Sequence, residues 1–109
     1  MNDKDKIILQ KITKYSQDAI SYVGDMAYDT FIADSKTLSA TAFVIGQIGE
    51  LAKTVSEETQ TMVSSINWRG IRGLRNRIVH DYENIDLKML WDVIKIDLPE
   101  LLVQISKAL

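Results

Sequence analysis

Apolar side chains recur at three- and four-residue intervals along most of this chain, and no segment shows the period-two alternation of a half-buried strand. Ile8, Ile12, Tyr15, Ala19 and Val23 predict an amphipathic helix over 3–23, ended near Gly24. Residues 26–32 predict a brief helix or irregular turn, after which Asp34 or Ser35 can cap a long helix over 38–57. In that helix Val44, Ile45, Ile48, Leu51, Ala52 and Val55 share one arc, the core stripe of the central element. Thr41 falls on the same arc, so its hydroxyl is expected to bond back to a helix carbonyl. A polar link over 57–65 leads to another helix whose stripe is Ile71, Leu74 and Ile78, with Trp68 and Val79 at its edge. Residues 81–86 interrupt the pattern, Asp86 is a candidate cap, and Leu87, Leu90, Trp91, Ile94, Leu98, Leu101, Leu102 and Ile105 form the last stripe. Pro99 is expected to kink or divide that helix. The expected fold is all-α, an antiparallel bundle of four to five helices in one domain over 1–109.

Composition agrees with helices: 46% of 109 residues are hydrophobic, and there are only five glycines and one proline. With no cysteine, disulfides, thiolate metal sites and cysteine nucleophiles are excluded. The charged start, Met1 to Lys6, lacks the apolar segment of a cleavable signal, and no run approaches the ~20 apolar residues of a membrane span. A cytoplasmic protein without a membrane partner is expected.

Charge changes the picture more than composition does. Net charge is −2, yet all four arginines fall between Gln60 and His80, a stretch without a single acid, while the rest of the chain sets nine lysines against fifteen acids. A cationic site on an acidic body concentrates its field where an anionic substrate must sit. Arginine binds phosphate in a bidentate manner, and the chain's one histidine, His80, can move protons near neutral pH. On an ideal helix Arg69, Arg72, Asn76 and His80 share a face, because their spacings are three, four and four. Arg75 projects ~140° from His80 on the same ideal helix, toward the edge of the apolar stripe, where it would be partly buried. Helix distortion, a long reach by Arg75, or a second subunit could each bring the two together. Glu50, which lies off the core stripe of the long helix, is the candidate acceptor for Arg75.

Cleavage of RNA by its own 2'-hydroxyl profits from a general base and a general acid, with a cation beside the phosphorane. One chain supplies one histidine. A symmetric dimer would bring two imidazoles together, and Gly70 and Gly73, costly inside a helix, would permit the close approach of a partner helix or a phosphate. No His, Asp and Glu cluster has metal-ligand spacing and no glycine-rich phosphate loop is present, so neither metal nor cofactor is expected.

Arg75, four residues, His80, one residue, then Tyr82, with Asn76 directly after the arginine, resembles the signature of HEPN domains and specifically of the HepT-like ribonuclease toxins. The similarity extends to Ile48 Gly49 Glu50, to Trp68 seven residues before Arg75, and to Ile85 Asp86, Leu90 Trp91 and Leu98 Pro99, which together cover most of the chain. The resemblance implies a homodimeric HEPN-like helical domain that cleaves RNA without metal. It implies a toxin paired with a minimal nucleotidyltransferase antitoxin, a pairing that can extend to a larger hetero-oligomer. On this chain the catalytic residues would be Arg75, Asn76 and His80, with Arg69, Arg72 and Arg77 binding RNA. The antitoxin would transfer AMP to Tyr82, adding phosphate charge beside a cationic cleft and so repelling RNA. The competing reading is a non-catalytic helical module that holds a nucleotidyltransferase, which would keep Tyr82 and the dimer surface without needing His80. A plain structural bundle with a solvated arginine face would account for neither the motif nor the paired glycines.

Overall fold

The computed structural model describes residues 1–78 and 85–109, and among these there is no strand. The sequence signals set most helix ends. The Asn2 side chain accepts from the Asp5 N–H at 2.7 Å and starts α1, Asp3–Val23. Gly24 ends it at φ 53°, the left-handed conformation that glycine tolerates best, with its N–H on the Ile20 carbonyl. After the short α2, Tyr28–Ala33, Asp34 accepts from the Thr37 N–H at 3.1 Å and caps α3, Ser35–Ala52. That bond, with the Thr37 backbone as its largest contributor, holds the Asp34 carboxyl below its ordinary pKa. Thr41 is fully buried and its hydroxyl donates to the Thr37 carbonyl at 2.8 Å, as its place on the stripe predicts.

Ile8, Leu9, Ile12, Ala19 and Val23 of α1 and Val44, Ile45, Ile48 and Ala52 of α3 belong to one core, and these two helices form the most extensive helix pair. Asp5 near the start of α1 bonds to Ser56 just beyond the end of α3, so the two run antiparallel. Phe31 of α2 is fully buried, and it and Tyr28 pack on the Trp91 ring with centroids 5.2 and 5.4 Å away.

The stretch 57–65, expected as a polar link, contains a helix, α4, Glu57–Met62. Its cap is Ser56, whose hydroxyl accepts from the Thr59 N–H at 3.3 Å, and two glutamates occupy its first turn, where the helix dipole favours them. Ser56 also donates its hydroxyl to Asp5 at 2.5 Å and its N–H at 3.2 Å, while the Thr59 hydroxyl donates to Asp5 at 2.6 Å. Asp5 is only 1% exposed. Burial alone would raise its pKa, but the hydroxyls of Ser56 and Thr59 and the Ser56 N–H outweigh that, so the carboxyl is held below its ordinary value. The first turns of α1 and α4 are thus clamped together by a buried carboxylate.

The arginine-rich region forms α5, Trp68–Arg72, and α6, Leu74–Ile78, interrupted at Gly73. Trp68 is buried and donates its indole N–H to the Val63 carbonyl at 3.1 Å. Asp86 caps α7, Leu87–Asp92, through the Met89 N–H at 3.0 Å. Pro99 divides the last helix in an unexpected way. Residues 87–108 stay helical, but Val93–Asp97 form a π turn in which the Leu98 N–H reaches back five residues to the Val93 carbonyl, and α8, Leu98–Ala108, starts from there. A change of hydrogen-bond register absorbs the donor that proline lacks, so the chain need not bend away. The all-helical expectation therefore holds among the described residues, with α2, α4 and the π turn subdividing the expected bundle.

Candidate active site on the interrupted arginine helix

Both α5 and α6 pack on α3, and α6 also meets α7. Contact with α3 depends on Gly49, where a Cβ would lie 3.2 Å from the Ile71 carbonyl oxygen and 3.7 Å from that of Arg72. The glycines at which a close approach was expected serve different purposes. A Cβ on Gly70 would fall 2.5 Å from the Asn67 side-chain nitrogen, and Asn67 is the residue whose Oδ1 caps α5 through the Gly70 N–H at 3.0 Å. Gly73 carries the interruption, with φ −92° and ψ 3°. Among the described residues, only backbone oxygens of Arg69 and Gly70 lie within 4 Å of a Cβ placed there.

The expectation that Arg75 is partly buried against Glu50 is corrected by the structure. Arg75 is exposed, and it makes no hydrogen bond or ion pair among the described residues. Its aliphatic stem runs past Gly46, with Cδ 3.9 Å from where a Cβ would be, so a side-chain-free patch of α3 leaves it room at the surface. Glu50 instead accepts from Lys53 Nζ at 3.0 Å, and both are about half exposed. Lys53 lies one turn further along the same helix face, and it reaches Glu50 without crossing to α6.

The other cations also differ in setting. Arg69 and Asn76 are exposed, without a hydrogen-bond partner among the described residues. Arg72 is half-buried and donates Nη1 to Gln60 Oε1 at 2.6 Å, while Gln60 Nε2 donates to the Val55 carbonyl at 2.9 Å. Arg72 thereby ties α5 to α4, a structural duty that its spacing did not announce. Arg77 is exposed on the far side of α6, where Nη2 approaches Met89 Sδ at 3.3 Å. His80 and Tyr82 lie outside the described residues, and so does the meeting of Arg75 with His80. Among the described residues no group of three or more His, Asp and Glu side chains could hold a metal ion. No described helix is long and apolar enough to cross a membrane.

The described residues thus form an all-helical protein with an interrupted helix that carries four arginines, one of them committed to a neighbouring helix and Arg75 exposed without a partner among the described residues. The chain belongs to the family described as "Ribonuclease HepT-like", whose pattern matches residues 12–108 and so contains the whole stretch from Trp68 to Tyr82. A Methanocaldococcus jannaschii protein named "Putative RNase" is 29% identical over 82% of this chain and 74% of its own length. Another protein of that organism with the same description is 28% identical over 88% of each chain. "Probable ribonuclease HepT" of Thermococcus cleftensis is 26% identical over 93% of this chain and 92% of its own. No solved structure matches the chain at a significant level.

Proposed function

We propose that this protein is a metal-independent RNA endonuclease, the toxin of a toxin-antitoxin pair. The observation that carries the reading is Arg75, exposed on α6 and without a partner among the described residues, five residues ahead of His80 in a chain that belongs to a ribonuclease family. A guanidinium held at the surface by its stem, with its donors unspent on any described residue, is suited to bind a phosphodiester and the extra negative charge of its phosphorane. His80 in one copy takes the proton of the RNA 2'-hydroxyl, whose oxygen attacks phosphorus. The 5'-oxygen leaves with a proton from the second copy's imidazole, giving a 2',3'-cyclic phosphate and a 5'-hydroxyl. Asn76 orients the phosphate or the imidazole. Arg69 and the part of Arg72 not engaged by Gln60 draw RNA to the face, and Arg77 binds RNA from the far side of α6.

The homodimer is part of this proposal, and Phe43 supports it. It is 63% exposed on α3, one turn before the Gly46 position along which Arg75 runs, so the surface beside the motif has an apolar anchor for a second copy. The partner is a minimal nucleotidyltransferase antitoxin that moves AMP from ATP to the Tyr82 oxygen. The tyrosine loses its proton, a phosphodiester forms and pyrophosphate leaves. The added charge repels RNA from the arginines.

The test compares RNA cleavage and growth inhibition by the wild type, His80→Ala and Tyr82→Phe. The proposal expects His80→Ala to lose both. It expects Tyr82→Phe to escape the antitoxin's modification. Undiminished cleavage by His80→Ala would overturn the catalytic assignment in favour of the binding-module reading.

A further inference from the structure

On the side of α5 and α6 that carries Arg77, these helices and the start of α8 enclose a cavity of about 260 Å³. Its floor includes Leu74, Leu98 and Leu101, all buried. Its rim is polar, and two of the rim groups are held in fixed orientation. Asn67 Oδ1 accepts the Gly70 N–H at 3.0 Å, which leaves the Nδ2 donor for a ligand. Gln104 Nε2 donates to the Ser65 carbonyl at 2.8 Å, which leaves Oε1 as an acceptor. Asp97 and Glu100 stand on the same rim with no ion pair among the described residues, and Arg77 completes it.

This lining selects by chemistry. The two carboxylates repel a free phosphate, whereas a flat neutral group with its own donors and acceptors can pair with a carboxylate, Asn67 and Gln104 together. The volume lies just below the roughly 300–1,000 Å³ of pockets that take whole drug-sized ligands, so it suits a single ring system. Bases of single-stranded RNA are read in this manner, splayed out of the stack and bonded along their edges. We propose that the cavity is a nucleobase subsite that favours guanine. Guanine alone among the four bases sets two donors, N1–H and the N2 amino group, side by side on its Watson–Crick edge, where one carboxylate accepts both. Its O6 and N7 remain for Asn67 Nδ2. Arg77 at the mouth holds the backbone phosphate of the inserted nucleotide outside. The inference rests on the reading of the chain as a ribonuclease and gives that enzyme a base preference.

The probe is a titration of the full-length protein with guanosine, adenosine, cytidine and uridine, which carry no phosphate, followed by the side-chain amide resonances of Asn67 and Gln104. Guanosine is expected to shift both and to bind most tightly. In the paired variant Asp97→Asn with Glu100→Gln, both sites exposed and the changes isosteric, its affinity is expected to fall by about tenfold while the backbone spectrum keeps its dispersion. Equal shifts with all four nucleosides, the same shifts with inorganic phosphate, no shift at either amide, or unchanged guanosine affinity in the paired variant would each overturn the subsite. The measurement involves no cleavage, so it separates from the enzymatic reading. RNA cleavage that requires His80, in a protein that binds no nucleoside here, sinks the subsite alone. Nucleoside binding that survives with His80-independent cleavage sinks the catalytic assignment alone.

Discussion

Two polar regions of this protein are built in opposite ways. At the junction of α1, α3 and α4, a carboxylate 1% exposed receives two hydroxyl bonds and one backbone N–H, all at 3.2 Å or less. On α5 and α6, Arg69, Arg75 and Asn76 are exposed and their side chains make no hydrogen bond among the described residues. The first arrangement uses its polar groups up in holding the fold, because a buried charge without partners would cost far more than the helices gain from packing around it. The second leaves its donors available, at the cost of like charges gathered on a short interrupted helix. Arg72 belongs to the first type although it sits in the second region, since Gln60 occupies one of its donors at 2.6 Å.

The contrast can be broken from either side. The largest effect is expected from Arg75→Ala, which on the proposed reading should slow RNA cleavage by about a hundredfold or more by removing a charge beside the phosphorane, and should leave the thermal midpoint unchanged because the side chain is exposed. Single-turnover cleavage and a melting curve on the same preparation check this. A large drop in the midpoint would place Arg75 in the structural class. Asp5→Ala should do the reverse. Three donors lose their acceptor in a buried site, so stability should fall by about 3 kcal/mol in chemical denaturation while cleavage per folded molecule is retained.

The same carboxylate also predicts a pH dependence. Its folded pKa is depressed below the ordinary 3.8. The stability it contributes is therefore complete above that value and is lost as pH falls through the folded pKa. Asp5→Asn should accordingly flatten the stability curve below pH ~4, measured by denaturant midpoints across that range. Gly49→Ala comes next. The added methyl would meet the Ile71 carbonyl at 3.2 Å, a backbone atom that yields only if α5 moves, so the strain should outweigh the ~1 kcal/mol that alanine gains over glycine inside a helix and leave a net loss of about 1 kcal/mol or less. The smallest effect belongs to Glu50→Ala, at about 0.5 kcal/mol or less with no change in cleavage, because its ion pair with Lys53 is solvated.

Much of this was legible in the chain, and the parts that were not share a cause. The stripes of α1 and α3, the Asp34 cap and the Thr41 back-bond are local, set by spacing along one helix. The Asp5 clamp left a trace that stripe reading passed over. Asp5 occupies the apolar arc of α1 ahead of Ile8, Leu9 and Ile12, and a carboxylate there asks for buried donors. Nothing local says that Ser56 and Thr59 supply them, since they are more than fifty residues away. Helix α4 was read as a link because it is short and polar. Its start depends on Ser56, whose hydroxyl serves the α4 cap and Asp5 together. Gly70 and Gly73 drew attention as an approach surface because glycine is costly in a helix. Within the chain itself a close approach lies at Gly49, which only the packing of α5 on α3 distinguishes.

The sequence by itself determined a helical chain, the caps at Asp34 and Asp86, the concentration of all arginines in one stretch and the motif from Arg75 to Tyr82. Periodicity and residue type decide those, and both act over a few residues. Only the tertiary structure decided which arginine is spent on Gln60, that Arg75 stands exposed beside Gly46 and not against Glu50, and that α5, α6 and α8 enclose a polar-rimmed cavity. Those outcomes depend on which surfaces meet. The availability of Arg72 and Arg75 is set by neighbours from other helices, and no spacing along their own helix encodes them.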